Sequence, residues 1–342
     1  MRGLLFLVSW GICALTFSQS TLNWMWQNPI RKGLNPYGIK DCFLLREGKF
    51  LYLLGTDYPN PYRPKKGITL YRATEPGRWK AHRTPLPFEQ IPRNAWYKDV
   101  WAAPEIHPIN GKYYLCFQGR NNTLRPHKKT GFGVAVSEKI DGPYRILTQE
   151  KPLFEANHGT LVQTDDGEVY ALFDMDGRIY IASLDLEKGL VIKEPQELLG
   201  PQTLGNLYRY LDAPQLFKRN GKYHLLFSQF YAGYIVKTFH RIADQVTGPY
   251  QQVEKNPIYT WLEAEADEKV KMKYPSPNGF APPTQVIFSN QIVELAPEKF
   301  AIVYHSSEKY SEPSLCIEPF VWKGDSIVLE NPKGKLQKLK RP

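Results

Sequence analysis

Cysteine is scarce, with four in 342 residues, and one of them, Cys13, lies in the N-terminal segment. The other three, Cys42, Cys116 and Cys316, are far apart and form no CxxC pair. A disulfide framework and a cysteine zinc site are therefore not expected, and buried free thiols are. Methionine is equally rare. No long amphipathic helical pattern occurs, which argues against a helical fold. No nucleic-acid motif accompanies the formal charge of +10. Part of that excess is the basic end KGKLQKLKRP, read as a solvated tail. If the rest attracts a polyanion, an anionic polysaccharide suits an exported protein better than a nucleic acid.

Long apolar runs are also missing, apart from Leu4–Leu15. Met1-Arg2 precedes that run and Thr16-Phe17-Ser18 follows it, so residues 1–18 are expected to be a cleaved signal peptide. The run is too short to span a bilayer comfortably. Trp10-Gly11-Ile12-Cys13 makes a poor lipoprotein signal. The expected product is secreted or periplasmic, not inserted in a membrane, and monomeric.

What the chain has in quantity is aromatic residues and turn formers: 21 Tyr, 17 Phe and 8 Trp, with 28 Pro and 25 Gly. That mixture favours a β-rich fold with many turns. Five segments share one plan: Lys40–Thr56, Pro104–Gly119, Gly159–Asp174, Pro214–Gln229 and Asn290–His305. Each reads as an apolar strand, a turn and a strand rich in Tyr, Phe and Leu, the pattern of a β-hairpin. Gly48, Gly111, Gly167 and Gly221 mark the first four turns at near-equal spacing, and Pro297-Glu298-Lys299 serves the fifth. Further apolar strands follow most hairpins. Five units of four strands predict an all-β, five-bladed β-propeller as one domain over residues 19–342. A charged, helix-like and proline-rich insertion around 261–283 lengthens the last interval.

In a propeller the first strand of each blade lies nearest the axis, so the residues that open these strands converge on one mouth of the channel. They are Asp41, Glu105, His158, Asp212 and Ser289. Three carboxyl groups and an imidazole at one mouth suit general acid–base chemistry.

The hairpins and their flanking motifs resemble those of glycoside hydrolase family 43. Ile39-Lys40-Asp41 with Leu54-Gly55-Thr56 resembles the family's first blade. Trp101-Ala102-Ala103-Pro104-Glu105 resembles its second-blade WAPE pattern with one extra residue. Gly142-Pro143-Tyr144 and Gly248-Pro249-Tyr250 resemble its blade-closing turns. The resemblance implies a glycosidase with Asp41 as the base that activates water. The chain departs from the pattern at three positions. His158 stands where a modulating Asp is usual, and Asp212 where the Glu acid is usual. Ser289 stands where a channel His is common. His158 is accordingly open to three roles: partner of Asp212, proton donor, or substrate ligand. Glu105 is a further candidate acid.

Single displacement needs two carboxyl groups about 6.5–9.5 Å apart with water between them. Asp41 and Asp212, on different blades, are compatible with that gap. Tyr37, Trp101, Tyr208, Tyr210 and Phe230 are candidates to stack on sugar faces. Arg120 and Arg209 are candidates for a uronate or sulfate, and Ser289 for a hydroxyl. The resulting expectation is an inverting, exo-acting or debranching glycosidase on a plant or algal polysaccharide or oligosaccharide, with acidic or sulfated ones among the candidates. The alternative is a carbohydrate-binding propeller that has lost its acid and modulator. The resemblance allows a channel cation, but no metal-ligand spacing demands one, so no cofactor is expected.

Overall fold

The computed structural model describes residues 23–57, 67–87, 91–123, 130–200, 208–231, 235–262, 285–308, 313–329 and 336–340. The expected signal segment and nearly all of the insertion lie outside these residues. The described residues contain no helix and form five antiparallel blades plus a two-stranded closure. Blade I comprises Ile39–Glu47, Phe50–Asp57, Gly67–Ala73 and Lys80–Pro87. Blade II comprises Val100–Ile109, Lys112–Arg120, Gly131–Ser137 and Arg145–Ile146. Blade III has Gly159–Gln163, Val169–Met175 and Arg178–Asp185, with its outer strand in two pieces, Leu190–Val191 and Gln196–Leu199. Blade IV repeats that variation, with Tyr208–Arg219, Lys222–Tyr231 and Ile235–Ala243 followed by Gln251–Gln252 and Tyr259–Leu262. Blade V comprises Gln285–Ala296, Lys299–Glu308, Ser314–Lys323 and Ser326–Leu329.

The core lies between blades rather than at the axis. Leu51, Leu53, Val303 and Leu315 fill the seam between blades V and I. Phe117, Trp96, Trp101 and Leu54 fill the next, and Phe132, Phe154 and Phe173 the one between blades II and III. Strands buried on both faces explain why the hairpins read as near-continuous apolar runs rather than as alternation. Cys42 and Cys116 are buried free thiols within the first and third of these seams, and Cys316 is one in the seam between blades IV and V.

The ring is closed by the chain's two ends. Asn23–Gln27 pairs antiparallel with Leu336–Lys340. Beyond it, the Trp26 indole donates to Ile317 O at 3.0 Å, and Asn28 bonds both backbone groups of Ile317. Ile30 N donates to Leu315 O at 2.7 Å. The N-terminal segment is thereby laid along the third strand of blade V. Gln291 adds a stitch across the same seam, bonding both the N–H and the C=O of Leu44.

The innermost strands of blades I, II, IV and V share an irregularity that builds the mouth. Each carries a bulge, between Lys40 and Phe43, Ala102 and Glu105, Asp212 and Gln215, and Phe288 and Gln291. In each bulge one non-glycine residue is left-handed: Asp41 (φ 51°), Ala103 (φ 45°), Ala213 (φ 51°) and Ser289 (φ 52°). Such backbone costs about 1–3 kcal/mol and re-aims a side chain out of the pleat. Blade III has no such bulge, and its first strand begins directly after His158.

Candidate active site

The bulges place the expected mouth residues at different depths. Asp41 and Ser289 occupy the left-handed position itself, while Asp212 sits one residue before it. Glu105 lies two residues beyond it, further down the strand. Its carboxylate meets His107 Nε2 at 2.9 Å and accepts from Gln215, and it does not line the cavity at the mouth. Glu105 therefore does not join the other acidic groups. Equal position along the sequence repeat did not mean equal height on the axis.

Three of the expected residues do come together. His158 stands between two carboxylates, with Nδ1 2.8 Å from Asp212 Oδ1 and Nε2 3.3 Å from Asp41 Oδ1. Asp41 is held from behind. Thr56 Oγ1 donates to its Oδ2 at 2.7 Å, Ser289 Oγ donates to its Oδ1 at 3.1 Å, and Lys40 Nζ is 3.7 Å away. The Asp41 N–H donates to His305 Nδ1 at 3.0 Å, which fixes that nitrogen as an acceptor.

Two members of the group were not anticipated. Asp174 is 2% exposed, and its Oδ1 is 3.9 Å from His158 Nδ1. Asn157 Nδ2 donates to its other oxygen at 2.9 Å. His305 is the second. The fifth blade thus does supply a histidine to the group, from its second strand, while Ser289, expected to bind substrate, is buried as a support for Asp41.

A shared position explains both. Thr56, Gln118, Ser228 and His305 each pair across the hairpin with the residue just before the bulge. Asp174 takes the equivalent place in blade III, where its N–H donates to His158 O at 3.0 Å. The signal was available: at this position each second strand places a polar residue directly after an apolar residue or glycine, as in Phe173-Asp174 and Tyr304-His305. It was missed because only first strands were read as facing the axis.

The proton positions follow from this packing. Burial alone would raise the Asp41 carboxyl, but Lys40, His158 and His305 outweigh it and hold it well below the usual range. Burial opposes charge on His158, yet Asp212 and Asp41 raise it well above the ordinary imidazole value. Asp212 is lowered, its burial being outweighed by the charge of His158 and by the hydrogen bond between the two. Asp174 is raised well above the carboxylate range by burial and by the neighbouring Asp212 charge. Burial lowers His305 to about 4. These shifts favour the ionised forms of Asp41 and Asp212, the charged form of His158, the protonated form of Asp174 and the neutral form of His305.

A cavity of about 620 Å³ opens over this cluster. His158, Asp174 and Asp212 line it, together with Arg120, Gln118 and Tyr210. Asp41 does not line it, and its side chain is 5% exposed against 21% for His158. Tyr210 stacks on Phe230 with centroids 4.3 Å apart, so Tyr210 is the face presented to the cavity and Phe230 its buried backing. Arg120 is turned by Asn122. Two expected sugar ligands lie elsewhere. Trp101 is buried, its indole donating to Tyr97 O while its ring stacks on Phe117. Tyr37 is 61% exposed on the N-terminal segment and does not line the cavity. The Tyr208 and Arg209 side chains lie outside the described residues.

The sequence model of glycosyl hydrolases family 43 matches residues 26–328. A xylosidase/arabinosidase 43B from Humicola insolens is 25% identical over 241 residues, 66% of this chain and 41% of that protein. An extracellular endo-α-(1→5)-L-arabinanase 2 from Bacillus subtilis (strain 168) is 24% identical over 186 residues, 46% of this chain and 38% of that protein. The chain thus spans about two fifths of the length of these curated relatives. Among solved structures, a thermostable family-43 glycoside hydrolase superposes with a TM-score of 0.69 at 17% identity. That match covers 93% of this chain and 99% of the other, and supports the fold.

Proposed function

The chain belongs to glycosyl hydrolases family 43, a family of enzymes that hydrolyse O-glycosyl bonds, and we propose that it cleaves xylan- or arabinan-type plant polysaccharides or their oligosaccharides outside the cell. The names of its relatives support the pentose-containing substrate, and the extracellular arabinanase supports export. The observation that carries a catalytic reading is the His158 ring set between Asp41 and Asp212 beneath the cavity. Asp41, held ionised, is the base. The proton donor is the His158–Asp212 pair, whose groups lie 2.8 Å apart, close enough for one proton to sit between them. Donation to the leaving oxygen and uptake from water by Asp41 make a single displacement with inversion. The cavity is of small-ligand size, which supports action on a chain end or side branch. Its described walls set Glu155, Asp176 and Asp212 against Lys40, Arg120 and His158, so they carry no excess of positive charge that would select an acidic or sulfated sugar.

One observation favours a second reading, a carbohydrate-binding propeller without turnover. The His158 ring fills the gap that an inverting enzyme keeps for water and covers Asp41. In the catalytic reading, the ring turns aside when substrate binds. A panel of aryl pentosides and pentose oligomers separates the two. Turnover that is lost in Asp41→Asn supports hydrolysis; binding across the panel with no product supports the second reading. Among active variants, an aryl glycoside whose leaving group needs no protonation should rescue Asp212→Asn and His158→Ala but not Asp41→Asn.

A further inference from the structure

Blades III and IV bring three ligand-type atoms to one point on the cavity wall. His158 Nδ1, an Asp174 oxygen and an Asp212 oxygen all lie within 4.8 Å of one another. Nδ1 is 2.8 Å from Asp212 Oδ1 and 3.9 Å from Asp174 Oδ1. Donors held at about 2.1 Å around a tetrahedral ion stand about 3.4 Å apart, which falls between these distances. Asp174 Oδ1 is aimed into the same space, fully buried and with no hydrogen-bond donor in reach. Two carboxylates facing each other this closely need one positive species between them, a proton or a cation.

The donors are also braced as metal ligands are. Asn157 Nδ2 holds the outer oxygen of Asp174, and backbone bonds Asn157 N to Asp174 O and Asp174 N to His158 O lock the two residues side by side. Leu211 N donates to Gly177 O at 2.9 Å, tying the Asp212 strand to the turn of blade III. Such outer bonds fix ligand orientation. The cavity leaves the remaining coordination positions open to water or sugar hydroxyls. One imidazole and two carboxylates suit a late first-row divalent ion, whereas calcium wants six to eight oxygens.

We propose that His158, Asp174 and Asp212 bind one divalent ion of the zinc type, and that the metal-bound form is an inhibited form of the enzyme. The ion takes the place of the proton shared by His158 and Asp212, so no acid remains for the leaving group. The binding half of this proposal stands on the site alone, and the inhibition half rests on the catalytic reading above.

The test is isothermal titration of ZnCl2 into the full chain after chelator treatment. The expected result is one zinc per chain with a zinc X-ray absorption shell of nitrogen and oxygen, including one imidazole. Asp174→Asn and His158→Gln should each weaken binding at least about tenfold, with circular dichroism confirming that the variants fold. His107→Gln, in the deeper Glu105–His107–Cys116 group, should leave it unchanged. CaCl2 should bind far more weakly. No binding, or binding lost only in His107→Gln, overturns the site. Zinc bound here without loss of turnover, where turnover is measurable, overturns the inhibition. Binding in a protein that hydrolyses nothing leaves the site standing and removes the catalytic reading instead.

Discussion

Between blades IV and V lies a buried histidine pair whose cost under acid can be worked out directly. His224 Nδ1 and His240 Nε2 are 2.9 Å apart, both residues are wholly buried, and the Trp322 ring packs on both. Their other ring nitrogens have no partner. One ring must donate and the other accept, so the pair is stable only when neutral. Burial lowers His224 to about 4, and burial together with His224 lowers His240 to about 3, while Asp325 opposes and Arg219 and Lys222 add to the shift on His224. In the unfolded chain both titrate near 6.5. The sign follows: the folded values are depressed, so stability is complete above about 6.5 and is lost as pH falls toward 4 and 3. At pH 5 each unfolded histidine gains a proton that its folded form refuses, worth about 2 kcal/mol, or about 4 kcal/mol for the pair. Urea unfolding at pH 7.5 and pH 5.0 measures this, comparing the native chain with His224→Gln/His240→Gln. Every other titrating group is common to both proteins and cancels. The native chain should lose about 4 kcal/mol more than the variant over this interval. Equal losses, within about 1 kcal/mol, would mean that the rings are charged or hydrated in the folded state and the reasoning is wrong.

Further outcomes follow from the site and the ring closure. Thr56→Val removes the donor to Asp41 and the acceptor of the Ala103 N–H, and should cost about 1–3 kcal/mol in urea unfolding while lowering kcat more than it changes KM. Tyr210→Ala should raise KM for pentose oligomers with kcat nearly intact; an unchanged KM would remove Tyr210 from the sugar surface. Trp101→Phe should lower stability by about 1 kcal/mol through the lost indole bond and leave KM untouched. Trp26→Ala, which empties the seam where the N-terminal segment meets blade V, should cost about 3–5 kcal/mol; a midpoint equal to the native one would show that the ring is closed by other contacts.

The sequence carried the blade count because the hairpin repeat is local. An apolar run, a turn glycine and an aromatic run each depend on neighbours in the chain, and Gly48, Gly111, Gly167 and Gly221 all have positive φ at their turns. It also carried Asp41, His158 and Asp212 as mouth residues, since the strand that begins a blade is the one nearest the axis. The bulge was not legible. It leaves no composition signal, its left-handed residue being Asp, Ala, Ala or Ser, and without it Glu105 reads as level with Asp41. The second-strand residues Asp174 and His305 were hidden for a related reason. They reach the mouth because each hairpin carries the chain back to the face it left.

What the sequence by itself determined is therefore the architecture and the kinds of groups that meet. A periodic pattern of buried and turn-forming residues fixes strands and their order through local propensity and burial. What only the tertiary structure decided is which of those groups touch and which hold protons. His158 bridges Asp41 and Asp212, burial and the Asp212 charge push Asp174 toward its protonated form beside them, and Ser289 turns from ligand to support. Distances of 2.8–3.9 Å between residues on four blades set those states. Coulombic and desolvation energies change steeply over an ångström, far below what spacing along a chain can specify.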